Sequence, residues 1–408
     1  MHRVLKVALF CPVLLVISCN ASRPPGGLSN AGNPGTEKPQ VAVEAVNSFA
    51  FRMYHQLAKE NENLFFAPLS IWSAFAMAMA GARGQTEAQL QQALQLQAGG
   101  DQAHAAYAAL DKALAEASRS GSTLKTATAL WSQKGEPFRD EFLLTCTNNY
   151  RSGFKEVDFA RQPEAARNEI NAWVEDQTNK KIRDLIPAPL DPLTSLVLTS
   201  AIWFKGIWQH QFDPKHTEVE PFTCLDGTKT KIPFMHQKAY FGYATADGVQ
   251  ILELPYKHRV LSMVVILPSD TETFRSFEKD LSADRLRKWT QLTHETEVGV
   301  YFPRFRIQSG RYDLKPPLEN MGARDAFQPK AADFSGMNGA RTLWIGSAVH
   351  KAFVDVNEEG TEAAGASAVI MTRSAALEFR ADRPFVFLIR HIPTGCILFV
   401  GRFVKPQG

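Results

Sequence analysis

The chain has 408 residues, of which 45 % are hydrophobic and 21 % are charged, so it is long and apolar enough for a large core. Its net charge is +3 and its basic residues are dispersed, which argues against a nucleic-acid or strongly acidic partner. The sequence has no glycine-rich phosphate loop, no Gly-x-Ser-x-Gly elbow and no His-Glu-x-x-His motif, so we expect neither a cofactor nor a metal site.

The N-terminus carries an export signal. Basic residues precede an apolar run, residues 7–17, which is too short to span a bilayer and is typical of a signal peptide. The run ends Val-Ile-Ser-Cys at Cys19, which resembles the sequence at which bacterial lipoproteins are cut and lipidated. We predict a signal peptide over residues 1–18 and lipid attachment at Cys19. The alternative is an ordinary secretory signal with an incidental cysteine.

Residues 19–39 are rich in Pro, Gly, Ser and Asn and lack an apolar period, which predicts a flexible tether. Lipid chains on Cys19 would hold the protein at a membrane, because each buried methylene contributes about 0.8 kcal/mol. Asn20 is not the Asp that favours inner-membrane retention in enterobacteria. We therefore expect export to the outer membrane or cell surface, or otherwise a secreted or periplasmic protein. Residues 40–408 are predicted to be the folded domain.

Three cysteines remain after the tether, at unrelated spacings. Cys146, Cys224 and Cys396 are too few and too irregular for a disulfide framework or a zinc site. We expect buried free thiols.

Helical patterns dominate the first half of the domain. Apolar residues recur at helical spacing over residues 41–59 and 102–118, and a segment over 68–80 is apolar nearly all round and should be central. Thr86 with Gln89 is typical of a capping box, which predicts a helix from there to about Leu96. A further helix is predicted over residues 163–181.

Strand patterns dominate the second half. Apolar, often β-branched runs cover residues 196–204, 249–254, 261–267, 298–307 and 350–356. Residues 384–391 and 396–403 flank Pro-Thr-Gly and predict a hairpin. Early helices, late strands and no βαβ rhythm favour an α+β fold.

A stretch of small residues, 358–374, lies between two apolar strands and is too long for an ordinary connection. Its alternate residues from Thr361 onward are uncharged and mostly small, so one face of this segment could enter a sheet without burying a charge. An Ala-rich surface helix or a linker is the simpler alternative, since Ala and Glu favour helices.

Glu-Glu-Gly-Thr-Glu-Ala-Ala-Gly-Ala at residues 358–366 resembles the hinge of the reactive-centre loop in serpins. Further segments resemble the family's characteristic blocks and follow in the family's order, so that the resemblance covers about residues 40–406. These are residues 63–71 (Asn-Leu-Phe-Phe-Ala-Pro-Leu-Ser-Ile), 81–86 (Gly-Ala-Arg-Gly-Gln-Thr), 204–208 (Phe-Lys-Gly-Ile-Trp), 254–257 (Leu-Pro-Tyr-Lys), 333–336 (Asp-Phe-Ser-Gly) and 382–385 (Asp-Arg-Pro-Phe).

The resemblance implies helices packed around three β-sheets, with an exposed reactive-centre loop. It also implies a monomeric inhibitor rather than an enzyme: a serine protease cuts the loop, which then enters the main sheet and traps the acyl-enzyme. Serpin loop insertion is a general example of strand addition and of release of stored strain. Whether cysteine proteases are also trapped is left open.

The resemblance assigns the hinge to Glu359, Gly360, Thr361, Glu362, Ala363, Ala364, Gly365 and Ala366. Thr361 is small and neutral, which favours an inhibitor over a non-inhibitory member that is cut as a plain substrate. We predict cleavage between Arg373 and Ser374, because Arg373 is the only basic residue in the exposed part of the loop and suits a trypsin-like pocket. Cleavage at Thr372 or Ser374 is the alternative.

Serpins part their main sheet near a polar region that the resemblance places at Ser70, Ser73, Ser200, His350 and Trp208. Serpins usually have Asn where Ser200 stands. Since Ser offers one hydroxyl in place of an amide, we expect the network to persist with altered opening kinetics.

A remote alternative is an envelope hydrolase. Residues 122–125 and 152–155 both have Ser-x-x-Lys spacing, but no Lys-Thr-Gly partner occurs, so chance matches explain them better.

Overall fold

The computed structural model describes residues 39–97, 99–117, 123–150, 153–361 and 377–406. Its helices are α1 Gln40–Leu57, α2 Pro68–Ala80, α3 Gly84–Ala93, α4 Gly100–Ala117, α5 Asp140–Tyr150, α6 Pro163–Gln177, α7 Thr271–Lys279, α8 Ala283–Leu292, α9 Lys315–Asn320 and α10 Ser335–Asn338. Its strands are β1 Leu64–Phe66, β2 Thr123–Gln133, β3 Phe154–Val157, β4 Leu196–Ile207, β5 Glu218–Thr223, β6 Lys229–Ala246, β7 Val249–Pro255, β8 Leu261–Pro268, β9 His294–Pro303, β10 Phe305–Gln308, β11 Tyr312–Asp313, β12 Ile345–Asn357, β13 Gly360–Thr361, β14 Leu377–Arg380, β15 Phe385–His391 and β16 Ile397–Phe403.

The early helices enclose the core as their patterns predict. α2 is buried from Pro68 to Met79, because its sequence is apolar nearly all round. The predicted capping box is wrong: α3 begins at Gly84, and Thr86 is a buried residue inside it. The Thr86 hydroxyl accepts a hydrogen bond from the backbone N–H of Asp333 at 2.9 Å, so a distant loop uses the group that a cap would have needed.

The larger sheet has nine strands in the part of the chain that the structure describes, in the order β1-β16-β15-β8-β7-β6-β9-β14, with β5 on β6. β6 is 18 residues long and pairs with β5 through residues 229–234, with β9 through residues 234–243 and with β7 through residues 242–246. This strand joins two of the three sheets that we expected into one continuous sheet. β15 and β16 form the predicted antiparallel hairpin and are buried.

The single strand predicted over residues 298–307 is two strands in different sheets. β9 ends at Pro303 and β10 begins at Phe305. The N–H of Arg304 between them donates to the carbonyl of Pro233 of β6, which extends the β6–β9 pairing by one residue. Phe305 then pairs with Val356 of β12, so the chain changes sheets directly after Arg304.

The second sheet has the order β10-β12-β13-β4-β2-β3 in the described residues, with β11 on β12. β4 and β12 pair in parallel from Leu196 and Ile345 to Trp203 and Phe353, and we call this pairing the β4–β12 ladder. α6 packs Ile170 and Val174 against one face of this sheet, in a cluster with Trp131 of β2. It ends at Gln177, four residues before the predicted end at 181.

One prediction about the cysteines can be compared with the described residues. Cys146, Cys224 and Cys396 are buried and free, as expected. Burial raises the pKa of Cys146 to about 12, so its thiol is protonated at neutral pH. None of the described helices is both long and apolar enough to cross a membrane.

Candidate functional site

The stretch of small residues begins inside the second sheet. β12 ends at Asn357, the chain turns at Glu358 and Glu359, and Gly360–Thr361 returns as β13. β13 is antiparallel both to β12 and to β4, so it lies between these two strands just above the β4–β12 ladder. Gly360 and Thr361, directly after this turn, are therefore already a strand of the sheet.

Thr361 is fully buried at this point, and its hydroxyl lies 2.9 Å from the hydroxyl of Tyr256. The Tyr256 ring stacks on Trp208, with ring centroids 4.6 Å apart, and meets Phe204 edge-on at 5.0 Å. Burial raises the pKa of Tyr256, so the phenol is neutral and can donate to Thr361. An apolar aromatic site with one polar contact thus surrounds Thr361.

Two glycines permit this packing. A Cβ on Gly360 would lie 2.0 Å from the carbonyl oxygen of Gly206. A Cβ on Gly206 would lie 2.6 Å from ring atoms of both Phe204 and Tyr256. No side chain fits at either position without moving backbone or ring atoms, so β13 can approach β4 only through this glycine pair.

The turn before β13 is held by the segment that follows β4. Trp208 donates its indole N–H to the carbonyl of Asn357 at 3.0 Å and its backbone N–H to the carbonyl of Glu359 at 2.9 Å. The buried carboxylate of Glu358 accepts a hydrogen bond from Thr217 at 2.8 Å. Trp208 therefore fixes the point at which the segment leaves β12.

A chain of polar side chains lies farther along the β4–β12 ladder. The Ser70 hydroxyl contacts Thr128 Oγ1 at 2.7 Å and Ser200 Oγ at 2.8 Å, and Ser200 Oγ lies 2.9 Å from His350 Nδ1. The Ser73 hydroxyl donates to the carbonyl of Ser70 at 3.1 Å, so it lies beside this chain rather than in it. These contacts connect α2, β2, β4 and β12.

His350 is neutral and its tautomer is defined by its neighbours. The backbone N–H of Ala67 donates to Nε2 at 3.1 Å, so Nδ1 carries the proton and donates to the carbonyl of Ser200 at 2.8 Å. Burial lowers the pKa of His350 to about 3. Ser200 and His350 do not form a catalytic dyad, because both are buried and both ring nitrogens already have partners.

Two contributing residues escaped the sequence analysis. Thr128 belongs to β2, a strand that we did not predict, although Thr126 and Thr128 alternate with buried Ala127 and Ala129. Tyr256 lies in the Leu-Pro-Tyr-Lys segment, but its contact with Thr361 spans 105 positions, and no local pattern indicates it.

Several predicted site residues lie outside the described residues. These are Glu362, Ala363, Ala364, Gly365, Ala366, Arg373, Ser374 and the lipidation candidate Cys19. In the described ranges, no group of three or more His, Cys, Asp or Glu side chains could hold a metal ion.

The chain matches the family model described as "Serpin (serine protease inhibitor)" over residues 44–406. It is 42 % identical to human Serpin B8 over 375 residues, which cover 89 % of this chain and 99 % of that protein. It is 42 % identical to the bovine leukocyte elastase inhibitor over 381 residues, with the same two coverages. Among solved structures, uncleaved ovalbumin aligns with a TM-score of 0.81 at 31 % identity, covering 90 % of this chain and 100 % of that chain. Native protease nexin-1 with heparin aligns with a TM-score of 0.81 at 27 % identity and the same coverages.

Proposed function

The chain belongs to the serpin family, which includes protease inhibitors and whose members are not enzymes, and from that premise we propose that it traps trypsin-like serine endopeptidases irreversibly. The observation that carries the proposal is the position of β13. Its small, buried Thr361 occupies the entrance between β4 and β12 through which a cut loop would insert.

In the proposed reaction the protease supplies the catalysis. Its serine attacks the carbonyl carbon of Arg373 and gives its proton to the protease's general base, and the bond to Ser374 breaks. The new amine of Ser374 takes that proton and stays with residues 374–408, whose strands remain in the nine-stranded sheet. Arg373 remains esterified to the protease serine. Hydrolysis of that ester would release the protease, so trapping requires that insertion distort the protease before water attacks.

Insertion would replace the single pairing between β4 and β12 with two pairings, one on each side of the inserted strand. Below β13 the neighbours β4 and β12 pair in parallel. A strand that continued β13 downward would be antiparallel to both, and antiparallel pairing is slightly the more stable per residue. About a dozen newly paired residues at roughly 0.5–1.5 kcal/mol each give on the order of 10 kcal/mol, comparable to the stability of a whole domain.

Insertion would also carry the protease a long way. The segment from Thr361 to Arg373 spans about 40 Å when extended at ~3.3 Å per residue. The uncut form would then be held by a kinetic barrier rather than by equilibrium. The polar contacts among Ser70, Ser200 and His350 cross the β4–β12 ladder and would contribute to that barrier.

The trypsin-like preference rests on Arg373, and its test is a titration of the full chain against trypsin. A complex that survives denaturing electrophoresis, together with a released peptide beginning at Ser374, would support both the function and the bond. Arg373→Ala is the matched variant and should lose the trypsin complex. Clean cleavage without a complex would mean a non-inhibitory substrate. Cleavage only by elastase-like proteases would reassign the bond to Thr372 or Ser374.

We propose separately that residues 1–18 are a signal peptide and that Cys19 carries lipid, which would place a monomeric inhibitor at the cell envelope. The support is the sequence of residues 7–19. Fatty-acid labelling of the parent chain in a bacterial host, with Cys19→Ser as control, tests it. Equal labelling of both chains, or none of either, would contradict lipidation at Cys19.

A further inference from the structure

Basic residues that are dispersed in the sequence lie together on one face of the second sheet. Lys125 of β2 pairs with Trp203 of β4, and Trp203 pairs with Phe353 of β12. Residues that pair across neighbouring strands project from the same side of a sheet, and so do residues two apart in one strand. Lys205 and Lys351 each lie two residues from one of these aromatic residues, so the three lysines share a face with both rings.

The packing of α6 supports this arrangement. α6 covers a cluster that includes Ala127, Ala201 and Val349 of β2, β4 and β12. Each of these residues lies two or four positions from the lysine of its own strand. The opposite face of the sheet packs on α2, where Ser70 contacts Thr128 at 2.7 Å. The lysines therefore project from the outer face of the sheet, beside α6.

Two further cations lie on this face, both near the ring of Phe353. Lys181 Nζ, from the segment after α6, is 5.8 Å from the ring centroid, and Arg306 Cζ of β10 is 5.7 Å from it. Cations at this distance from an aromatic face are attracted by it, which holds both side chains over the sheet. We call the resulting group of residues the basic face: Lys125, Lys181, Lys205, Arg306 and Lys351.

The positive charge of the basic face is only partly compensated. Arg306 forms an ion pair with Asp355, with Nη2 2.5 Å from Oδ2. Lys351 donates to a backbone carbonyl at 2.9 Å, which is a neutral acceptor. Lys125, Lys205 and Lys351 form no ion pair with any residue in the part of the chain that the structure describes. At least three lysine charges on this face are therefore available to an anionic ligand.

The basic face is a narrow shelf. It spans the neighbouring strands β2, β4 and β12, which at ~4.8 Å per strand is roughly 10 Å across. α6 borders it, and because a helix with its side chains is about 10–12 Å thick, α6 projects beyond the lysines. Glu164, Glu169 and Asp176 are exposed on α6 and would repel an anion there. A flat bilayer or a stiff DNA duplex would meet α6 before it reached the lysines.

The chemistry of the shelf selects among flexible polyanions. Trp203 and Phe353 are only 5 % and 9 % exposed, so their rings offer no platform for the base stacking by which proteins hold single-stranded nucleic acids. Lysine ammonium groups are compact point charges, which bind phosphate through charge rather than through a fixed fork of donors. We propose that the basic face binds a linear polyphosphate chain, whose repeated charges can follow the three lysines across the shelf. This inference goes beyond the proposed inhibition of proteases and does not depend on it.

The test is a titration of end-labelled inorganic polyphosphate with the full chain, followed by fluorescence anisotropy at several salt concentrations. Binding should weaken linearly in log affinity against log salt, because each phosphate contact releases a counterion. Unlabelled polyphosphate should compete, whereas inorganic phosphate at the same phosphate concentration should not, since it cannot engage several lysines at once.

A triple variant with Lys125→Gln, Lys205→Gln and Lys351→Gln removes the lysines that lack an ion pair. It should bind at least about tenfold more weakly, and the slope of log affinity against log salt should fall by about three.

The matched control removes three exposed lysines from elsewhere on the surface: Lys279→Gln of α7, Lys288→Gln of α8 and Lys330→Gln between α9 and α10. Its net charge equals that of the first triple variant, and it should keep the affinity and the slope of the parent to within about a factor of two, because charges beyond a Debye length of ~10 Å are largely screened. If the first triple variant does not fold, Lys125→Gln alone, at an exposed position, should lower the slope by about one.

Equal losses in the two triple variants would overturn the proposal, because the site would then be net charge and not this face. Failure of the parent to bind polyphosphate would overturn it as well. Tighter binding to a DNA duplex, to single-stranded DNA or to a sulfated polysaccharide at the same salt concentration would assign the face to that polymer instead. No protease takes part, so the result is independent of whether the chain forms a complex with trypsin.

Discussion

The hydroxyl of Thr361 lies 2.9 Å from the hydroxyl of Tyr256, and both residues are completely buried. In the proposed hinge, Thr361 is the first residue whose side chain is buried in the sheet, and Gly360 and Thr361 already form a strand between β4 and β12. The sheet below it remains closed by the β4–β12 ladder. In the proposed mechanism, β13 already separates β4 from β12 at the top of the sheet, while the two strands stay paired below it. Each of these features can be changed by its own substitution.

Thr361→Arg should turn the inhibitor into a substrate. A guanidinium cannot be accommodated in the apolar site formed by Tyr256, Phe204 and Trp208 without a large desolvation cost, so a cut loop would insert too slowly. We expect cleavage at the same bond with at least about a tenfold loss of trapped complex, since slowing insertion by ~1.4 kcal/mol suffices. Densitometry of complex and cleaved chain after reaction with trypsin measures the ratio. Thr361→Ser, which keeps a small hydroxyl, should behave like the parent; an equal loss there would contradict this explanation.

Tyr256→Phe and Thr361→Val should reveal a coupled pair. Each single change leaves one buried hydroxyl without its partner and should lower the free energy of unfolding by about 1–3 kcal/mol. The double variant removes both hydroxyls and should lose less than the sum of the two, because no orphaned group remains. Denaturant unfolding of the four proteins gives the coupling energy. Additive losses would show that the 2.9 Å contact contributes nothing.

The sequence indicates the proposed hinge, but it does not indicate which residues contact Thr361. Small residues at Gly360 and Thr361 are visible locally, and the helical and strand periods of α2, β4 and β15 follow from their apolar patterns. The Tyr256 contact joins residues 105 positions apart, and the approach of Gly360 to Gly206 depends on tertiary packing. Neither has a local signal.

Wrong predictions arose where tertiary contacts replaced local ones. Thr86 has the spacing of a helix cap, but Asp333 from a distant loop uses its hydroxyl. Residues 298–307 were predicted as one strand, because their apolar pattern does not show that the pairing partner changes from β6 at Arg304 to β12 at Phe305. Of the five residues that the resemblance places near the opening of the sheet, Ser70, Ser200 and His350 are in contact through Ser200. Ser73 lies beside them and Trp208 contacts the turn before β13. Thr128 was missed because β2 alternates small residues that do not stand out as a strand.

Ser200→Asn should slow heat-induced inactivation several-fold. Ser200 Oγ contacts Ser70 at 2.8 Å and His350 at 2.9 Å, so it links α2 to both strands that must separate. The amide of Asn has two N–H donors and a carbonyl acceptor, whereas the hydroxyl of Ser has a single donor. An added hydrogen bond across the β4–β12 ladder would raise the barrier to separation of the two strands. Residual trypsin inhibition after timed heating measures the rate. Ser200→Ala should show the reverse change, and an unaltered rate in Ser200→Asn would remove this residue from the opening step.

His350 should make the uncut form sensitive to acid. Its pKa is lowered to about 3 by burial, whereas an unfolded histidine titrates near 6.5, so above pH ~6.5 both states are neutral and its contribution is constant. As the pH falls below about 6.5, His350 is protonated in the unfolded chain but stays neutral in the folded chain, because Ala67 already donates to Nε2. Stability is then lost by up to about 1.4 kcal/mol per pH unit until the pH reaches about 3. Unfolding free energies of the parent and His350→Gln across this range measure the effect as a difference in slope. Parallel curves would show that the protonation of His350 does not govern the acid-induced loss of stability.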